Sequence, residues 1–190
     1  MILINEEFEK TGKDVSVPVD NIEDGEQIAA QLLKELAKSK TGVGLAAPQI
    51  GINKRVVAVN VNYPLYFINP KITHSEGSIV YNEGCLSYPD KVVMTKRFSK
   101  ITVEADNLDE PATFEAGYDE HATLECVCVQ HEIDHLDGIL MFDRRHNMTV
   151  VRKEKKIGRN QLVTLKKGDA VKVLKYKKAQ NLLNEGWVIE

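Results

Sequence analysis

The stretch DEHATLECVCVQHEIDHLDG, residues 119–138, decides how the rest of the chain is read. It holds no Pro or Gly before Asp137-Gly138, a pair that stops helices well, so a helix is expected from about Asp119 to Leu136. Leu124, Val127, Cys128, His131 and His135 fall on one face of it. His131-Glu132-Ile133-Asp134-His135 is an H-E-x-x-H pattern. Residues four apart stack on a helix, so both imidazoles can reach one metal ion, while Glu132, one position round, can reach a water beside it.

Two imidazoles leave a catalytic metal one short of its usual three protein ligands. Downstream the chain offers only His146, with no Glu-bearing helix. Upstream, Glu83-Gly84-Cys85-Leu86-Ser87 puts a Cys in a Gly-flanked turn at a strand end. A thiolate binds divalent metals strongly, which makes Cys85 the best candidate for the third ligand. Cys128, three residues before His131 on the same face, is a rival.

Around this helix the pattern is one of short strands. RVVAVNV (55–61) reads as a buried strand, and further strands are expected at 66–72, 77–81, 91–94 and 100–106, with TFEAG following a turn at 107–111. A first helix is expected from about Asn21 to Lys40, with Ile28, Leu32, Leu33 and Leu36 at helical spacing. Runs this short, joined by turns, predict antiparallel sheet. The expected fold is therefore α+β: antiparallel strands packed around a central metal-binding helix, with a small basic β-rich appendage at the carboxyl end.

Length and composition agree with a packed core. The chain has 190 residues, 43% hydrophobic and 28% charged, the proportions of an ordinary globular protein. No run approaches the roughly 18–20 apolar residues of a membrane span, and the acid-rich start does not look like a signal peptide, so a cytoplasmic protein without membrane contact is expected. Three cysteines, two of them two apart in a helix, point to reduced thiols rather than disulfides.

The charge is divided unevenly. Residues 1–143 carry 12 Lys+Arg against 24 Asp+Glu, whereas residues 144–190 carry 13 against 4. The sequence thus divides into a catalytic domain at 1–145 and, at 146–190, a basic linker with a small appendage of unknown function. RRHNMTVVRKEKKIGRN (144–160) has the look of an exposed linker; beyond it LVTLKK, AVKVLKY and AQNLLNEG resume a folded pattern. An excess of Lys and Arg from Arg144 to Lys178 suits an anionic surface such as ribosomal RNA, or is simply a solvated face.

Three motifs in order, GVGLAAPQIG (42–51), EGCLS (83–87) and QHEIDHLDG (130–138), resemble those of the peptide deformylase family, a resemblance that spans about residues 15–145. It implies an amidohydrolase that removes the formyl group from the N-terminal formylmethionine of nascent polypeptides and releases formate. By the same resemblance Cys85, His131 and His135 bind the metal, ferrous iron in the first place, with Zn2+, Ni2+ or Co2+ able to take the same ligands. A metal-bound hydroxide attacks the formyl carbon, and Glu132 acts as general base and then general acid. The Gln49 amide and the Leu86 backbone N–H receive the developing negative charge, so Gln49 should matter greatly for turnover and little for folding.

The backbone of Gly44 resembles the position that pairs with the peptide substrate. Val43, Tyr81, Leu124, Val127 and Cys128 match positions lining the pocket for the methionine side chain. Glu83, grouped with these substrate-binding positions, resembles the residue that braces the metal loop. Two other readings stand beside this one: an H-E-x-x-H endopeptidase, which usually takes its third ligand downstream, and a non-catalytic RNA-associated protein on a deformylase fold. DNA is not an expected partner. The carboxyl-terminal segment resembles no family in these terms.

Overall fold

The structure, a computed structural model, describes residues 2, 3, 8, 14–146, 162–168, 170–184 and 186–189. It divides into two compact units, residues 1–147 and 148–190. In the first unit the described elements are helix α1 (Ile22–Leu36), strand β1 (Gly44–Ala46), a 3₁₀ turn (Ala47–Ile50), strands β2 (Val56–Asn60), β3 (Pro64–Ile68), β4 (Lys71–Glu76), β5 (Ile79–Cys85), β6 (Tyr88–Arg97), β7 (Lys100–Glu104) and β8 (Ala112–Glu115), and helix α2 (Glu120–Leu136). Every strand pair is antiparallel, in the orders β1-β2-β3, β4-β7-β8 and β5-β6.

The run Val56-Val57-Ala58-Val59 is apolar without alternation because its sheet is covered on both faces. Val57, Val59 and Phe67 point towards α2, where Cys128, Val129, Ile133 and Leu136 meet them together with Ile101, Val103 and Phe114 of the second sheet. Val56, Ala58 and Ile68, on the opposite pleat, meet Ala29, Leu32 and Leu36 of α1. Helix α2 therefore lies between two sheets, and every residue from Cys126 to Leu136 is buried. Its amino end is capped by Asp119, whose side chain accepts from the Ala122 N–H at 2.7 Å, and its exit turns through Gly138 at φ 70°.

Three local expectations change. Residues 66–72 do not form one strand: Asn69 takes a left-handed φ of 52°, and Pro70 follows with no N–H to donate, so β3 ends at Ile68 and β4 starts at Lys71. The Asn69 side chain makes the break useful, accepting from the Val19 N–H and donating to the Val19 carbonyl and the Asp106 carboxylate. The segment 42–51, for which the sequence predicts no strand or helix, holds a buried three-residue strand and a 3₁₀ turn that Gly51 closes at φ 81°. Helix α1 also stops earlier than expected, at Leu36, with Ala37 as its cap.

Arg144, Arg145 and His146 open the segment whose composition reads as an exposed linker, but they are built onto the first unit. Arg145 bridges Thr95 of β6, the Lys96 N–H donates to the Arg144 carbonyl at 3.0 Å, and the His146 N–H donates to the Met94 carbonyl at 2.8 Å. The rest of that linker, residues 147–160, lies outside the described residues.

The second unit contains β9 (Leu162–Lys167), β10 (Ala170–Lys175), helix α3 (Tyr176–Asn184) and β11 (Val188–Ile189), with strand order β10-β9-β11. Its small core is Val163, Leu165 and Ala179, surrounded by Leu174, Leu182, Leu183 and Trp187 among others. Lys172 sets its ammonium 4.7 Å from the Trp187 ring centre.

Gly25 shows how tightly the first unit is packed. It lies in the first half of α1, buried, and a Cβ there would sit 2.6 Å from Ile68 Cδ1 and 2.8 Å from its Cγ1 and Cγ2. Ordinarily Gly to Ala inside a helix gains about 1 kcal/mol. Here overpacking against a fully buried Ile costs about 1–3 kcal/mol and outweighs that gain. Gly25→Ala is expected to lower the thermal midpoint by several degrees in a melting experiment, the reverse of its usual effect.

Candidate metal centre

The three short motifs meet at one place. Cys85 closes β5, and Leu86 and Ser87 make the turn that lets Tyr88 pair back with Cys85. His131 and His135 reach the same point from the buried face of α2. Cys85 Sγ lies 3.4 Å from His135 Nε2, which lies 3.1 Å from His131 Nε2. Among the described residues this is the group of His, Cys, Asp and Glu side chains able to hold a metal, its donor atoms within 4.8 Å of one another. Neither of the other ligands the sequence left open, Cys128 and His146, belongs to it.

The His131 ring is oriented by what stands behind it. Glu83 Oε2 sits 2.7 Å from His131 Nδ1, which turns Nε2 towards Cys85. Glu83 is held in turn by Arg97, whose Nε and Nη2 donate at 2.6 and 2.9 Å, and by the Thr95 hydroxyl. Arg97 Nη1 donates to Asp134, and Arg144 binds the same carboxylate through Nε at 2.9 Å and Nη2 at 2.7 Å. Phe8 meets the edge of the His135 ring, their centres 5.3 Å apart.

The electrostatics follow from this arrangement. Burial pushes the Glu83 carboxyl up, but the hydrogen bonds from Arg97 and His131 outweigh it and bring it to about 2. Burial pushes His131 down, and hydrogen bonding to Cys85 and Glu83 overcomes it and raises its pKa; burial and the neighbouring His131 lower that of His135. Burial raises Glu132 to about 7 and drives the Cys128 thiol up.

A divalent metal fits this set of side chains. One thiolate and two imidazole nitrogens suit first-row ions, and the Glu83 contact leaves the correct His131 nitrogen free to ligate. Glu132 Oε2, buried, has no hydrogen-bond partner among the described residues, which a carboxylate facing a polar ligand explains. Gly44 makes room for this carboxylate: a Cβ built there collides with Glu132 Oε1 and Cys128 Sγ.

Gln49 is fully buried on the 3₁₀ turn. Its Oε1 accepts from the Ala46 N–H at 2.8 Å, while Nε2 donates to Ser87 Oγ at 3.2 Å and faces Cys85 Sγ at 3.5 Å. That amide therefore also holds β1 to its turn and the turn to the Cys85 loop. The expectation that it matters little for folding does not survive, because its loss would strand a buried N–H.

A cavity of about 370 Å³ opens on this cluster. Val43, Gly44, Tyr81, Leu86, Leu124, Val127 and Cys128 line it together with Gln49, Glu83, Cys85, His131 and Glu132. His135 stands behind, bonded to the other ligands. The sequence did not single out Arg97, Thr95, Ser87 or Asp134 for any role. The expected strand at 91–94 stops short of Arg97, whose place on β6 and whose acid partners come from the structure alone.

The match to known proteins covers this unit. A family model for polypeptide deformylase matches residues 5–151. A peptide deformylase of Rhizobium meliloti is 40% identical over 139 residues, 69% of this chain and 77% of that protein. One from Heliobacterium modesticaldum is 48% identical over 107 residues, 56% of this chain and 68% of that protein. The crystal structure of peptide deformylase from Thermotoga maritima superimposes with a TM-score of 0.66 at 31% identity, covering 77% of this chain and 97% of that one. With its three motifs converging on one cavity and three quarters of its length matched, the chain belongs to the polypeptide deformylase family.

Proposed function

We propose that the chain is a metal-dependent deformylase that hydrolyses the formamide at the N-terminal formylmethionine of nascent polypeptides, releasing formate and a free amine. The observation that carries this reading is the convergence of Cys85 Sγ and both Nε2 atoms beside the unpartnered carboxylate of Glu132. Cys85, His131 and His135 would hold a divalent metal, ferrous iron in the cell, with Zn2+, Ni2+ or Co2+ accepted by the same ligands. Such an ion acidifies a bound water and polarises a carbonyl.

The remaining work falls to the chain's own side chains. Glu132 takes the proton from the attacking water and delivers it to the departing amine nitrogen. Gln49 Nε2 and the Leu86 N–H donate to the formyl oxygen as its charge grows. The Gly44 backbone, on the outer edge of β1, pairs with the extended peptide. Val43, Tyr81, Leu124, Val127 and Cys128 receive the methionine side chain, to which a flexible, polarizable thioether adapts well. Glu83 acts from behind, through His131.

Helices long and apolar enough to cross a membrane are absent among the described residues. The setting we propose is the cytoplasm, beside the ribosome. Lys and Arg of the 144–178 segment would bind ribosomal phosphates through counterion release. Arg144 contributes least, since Asp134 already holds it.

Three outcomes test the proposal. Formate release from formyl-Met-Ala-Ser by anaerobically purified, iron- or nickel-loaded protein should fall by about 10²–10⁴-fold in Glu132→Gln with the metal retained, whereas Cys85→Ser should lose the metal itself; no formate from the wild type sinks the reading. Glu132 must be ionised to accept a proton, so activity rises as pH climbs through its pKa. A cation on its neighbours lowers that value from about 7, which places the acidic limb of kcat/KM below pH 7. Deleting residues 148–190 should weaken co-sedimentation with ribosomes at low salt, and unchanged co-sedimentation excludes that segment as the contact.

A further inference from the structure

Strand β6 does not pair evenly with β5. Gly84 is opposite Val92 but Cys85 is opposite Tyr88, so Pro89, Asp90 and Lys91 have no partners across the hairpin. A bulge of this kind bends a strand and re-aims its side chains, and Pro89 has no N–H to leave unpaired. This one stands opposite the residues that carry Cys85. Pro89, Lys91 and Val92 form part of the wall of the same cavity.

Lys91 is the one Lys or Arg among the residues lining that cavity. It is exposed, and no ion pair or hydrogen bond occupies its side chain among the described residues. The acids of the lining do not answer its charge. Glu83 is committed to Arg97, Thr95 and His131, and Glu132 is buried. The cavity thus has an apolar floor, a reactive cluster at one side and one unanswered cation on the bulge. A peptide whose formyl end sits at Cys85 and Glu132 advances about 3.3 Å per residue and leaves past this wall within its first residues.

We propose that Lys91 is a specificity-determining residue that favours formylated chains with Asp or Glu at the second or third position over chains with Lys or Arg there. This rests on the deformylase reading. An acidic side chain at the rim meets an ammonium with no competing partner, and a basic one meets repulsion; neither contact changes during the chemistry, so the preference lies in KM rather than kcat.

The test uses C-terminally amidated peptides, so that no terminal carboxylate intervenes: formyl-Met-Ala-Glu against formyl-Met-Ala-Lys, and formyl-Met-Glu-Ser against formyl-Met-Lys-Ser, with the metal-loaded full chain. In at least one pair kcat/KM should favour the Glu peptide by about 3- to 10-fold. Lys91→Arg should keep the ratio, Lys91→Ala bring it near one and Lys91→Glu invert it. Turnover with ratios near one in both pairs, or a ratio that Lys91→Glu leaves unchanged, overturns the assignment while the deformylase reading stands. No formate from any peptide overturns both.

Discussion

The site depends on one buried carboxylate. Glu83 accepts from two nitrogens of Arg97, from Thr95 and from His131, and thereby ties β5, β6 and α2 together at the point where the reactive side chains must meet. Burying this many charges costs several kcal/mol per ion unless each is paired and hydrogen-bonded. Here the pairing closes: Arg97 spans Glu83 and Asp134, and Arg144 completes Asp134 from the end of the unit. Two acids meet two guanidinium groups. Because the folded pKa of Glu83 is depressed to about 2, its contribution to stability is complete above the ordinary carboxylate range and is lost as pH falls from there through 2. At neutral pH the brace is fully charged, and its rigidity passes to the His131 ring.

Glu132 lies one residue from His131 and has the opposite treatment. Its Oε2 has no hydrogen-bond partner among the described residues, and burial, with the Glu83 charge adding to it, outweighs His131 and Arg97 and raises it to about 7. Two carboxylates near one imidazole thus take different roles through their surroundings: the one paired with Arg97 is fixed as an anion, and the one left in an apolar wall can exchange a proton near neutrality. Gly44 belongs to the same design. A side chain there would strike Glu132 and Cys128, so the glycine whose backbone is expected to pair with an extended peptide is first of all room for the base.

Much of this was legible. The H-E-x-x-H spacing on a Pro- and Gly-free segment gives the buried helix and both imidazoles, since helical geometry is local. The Val-Val-Ala-Val run gives a strand covered on both faces. What escaped depends on contacts far apart in sequence. Nothing near Arg97 announces an acid 14 residues back and another 37 ahead. The break at Asn69 looked like continued strand because YFINPKI is apolar enough on either side, and only the Val19 and Asp106 partners make a left-handed Asn worthwhile.

Composition misled in one respect. Arg144 and Arg145 begin a basic run and were grouped with it, yet backbone bonds to Met94 and Lys96 place these residues on the edge of β6, and Asp134 takes up the Arg144 charge. A charge run is a statement about averages; what decides each member is whether an acid waits where the backbone delivers it. The same reasoning applies to Lys91, one of the 12 Lys and Arg of the acidic segment 1–143. Arg97 is consumed by its partners, Lys54, Arg55 and Lys100 are tied to nearby acids, and Lys91 is presented by a bulge to a cavity that supplies no counter-charge of its own.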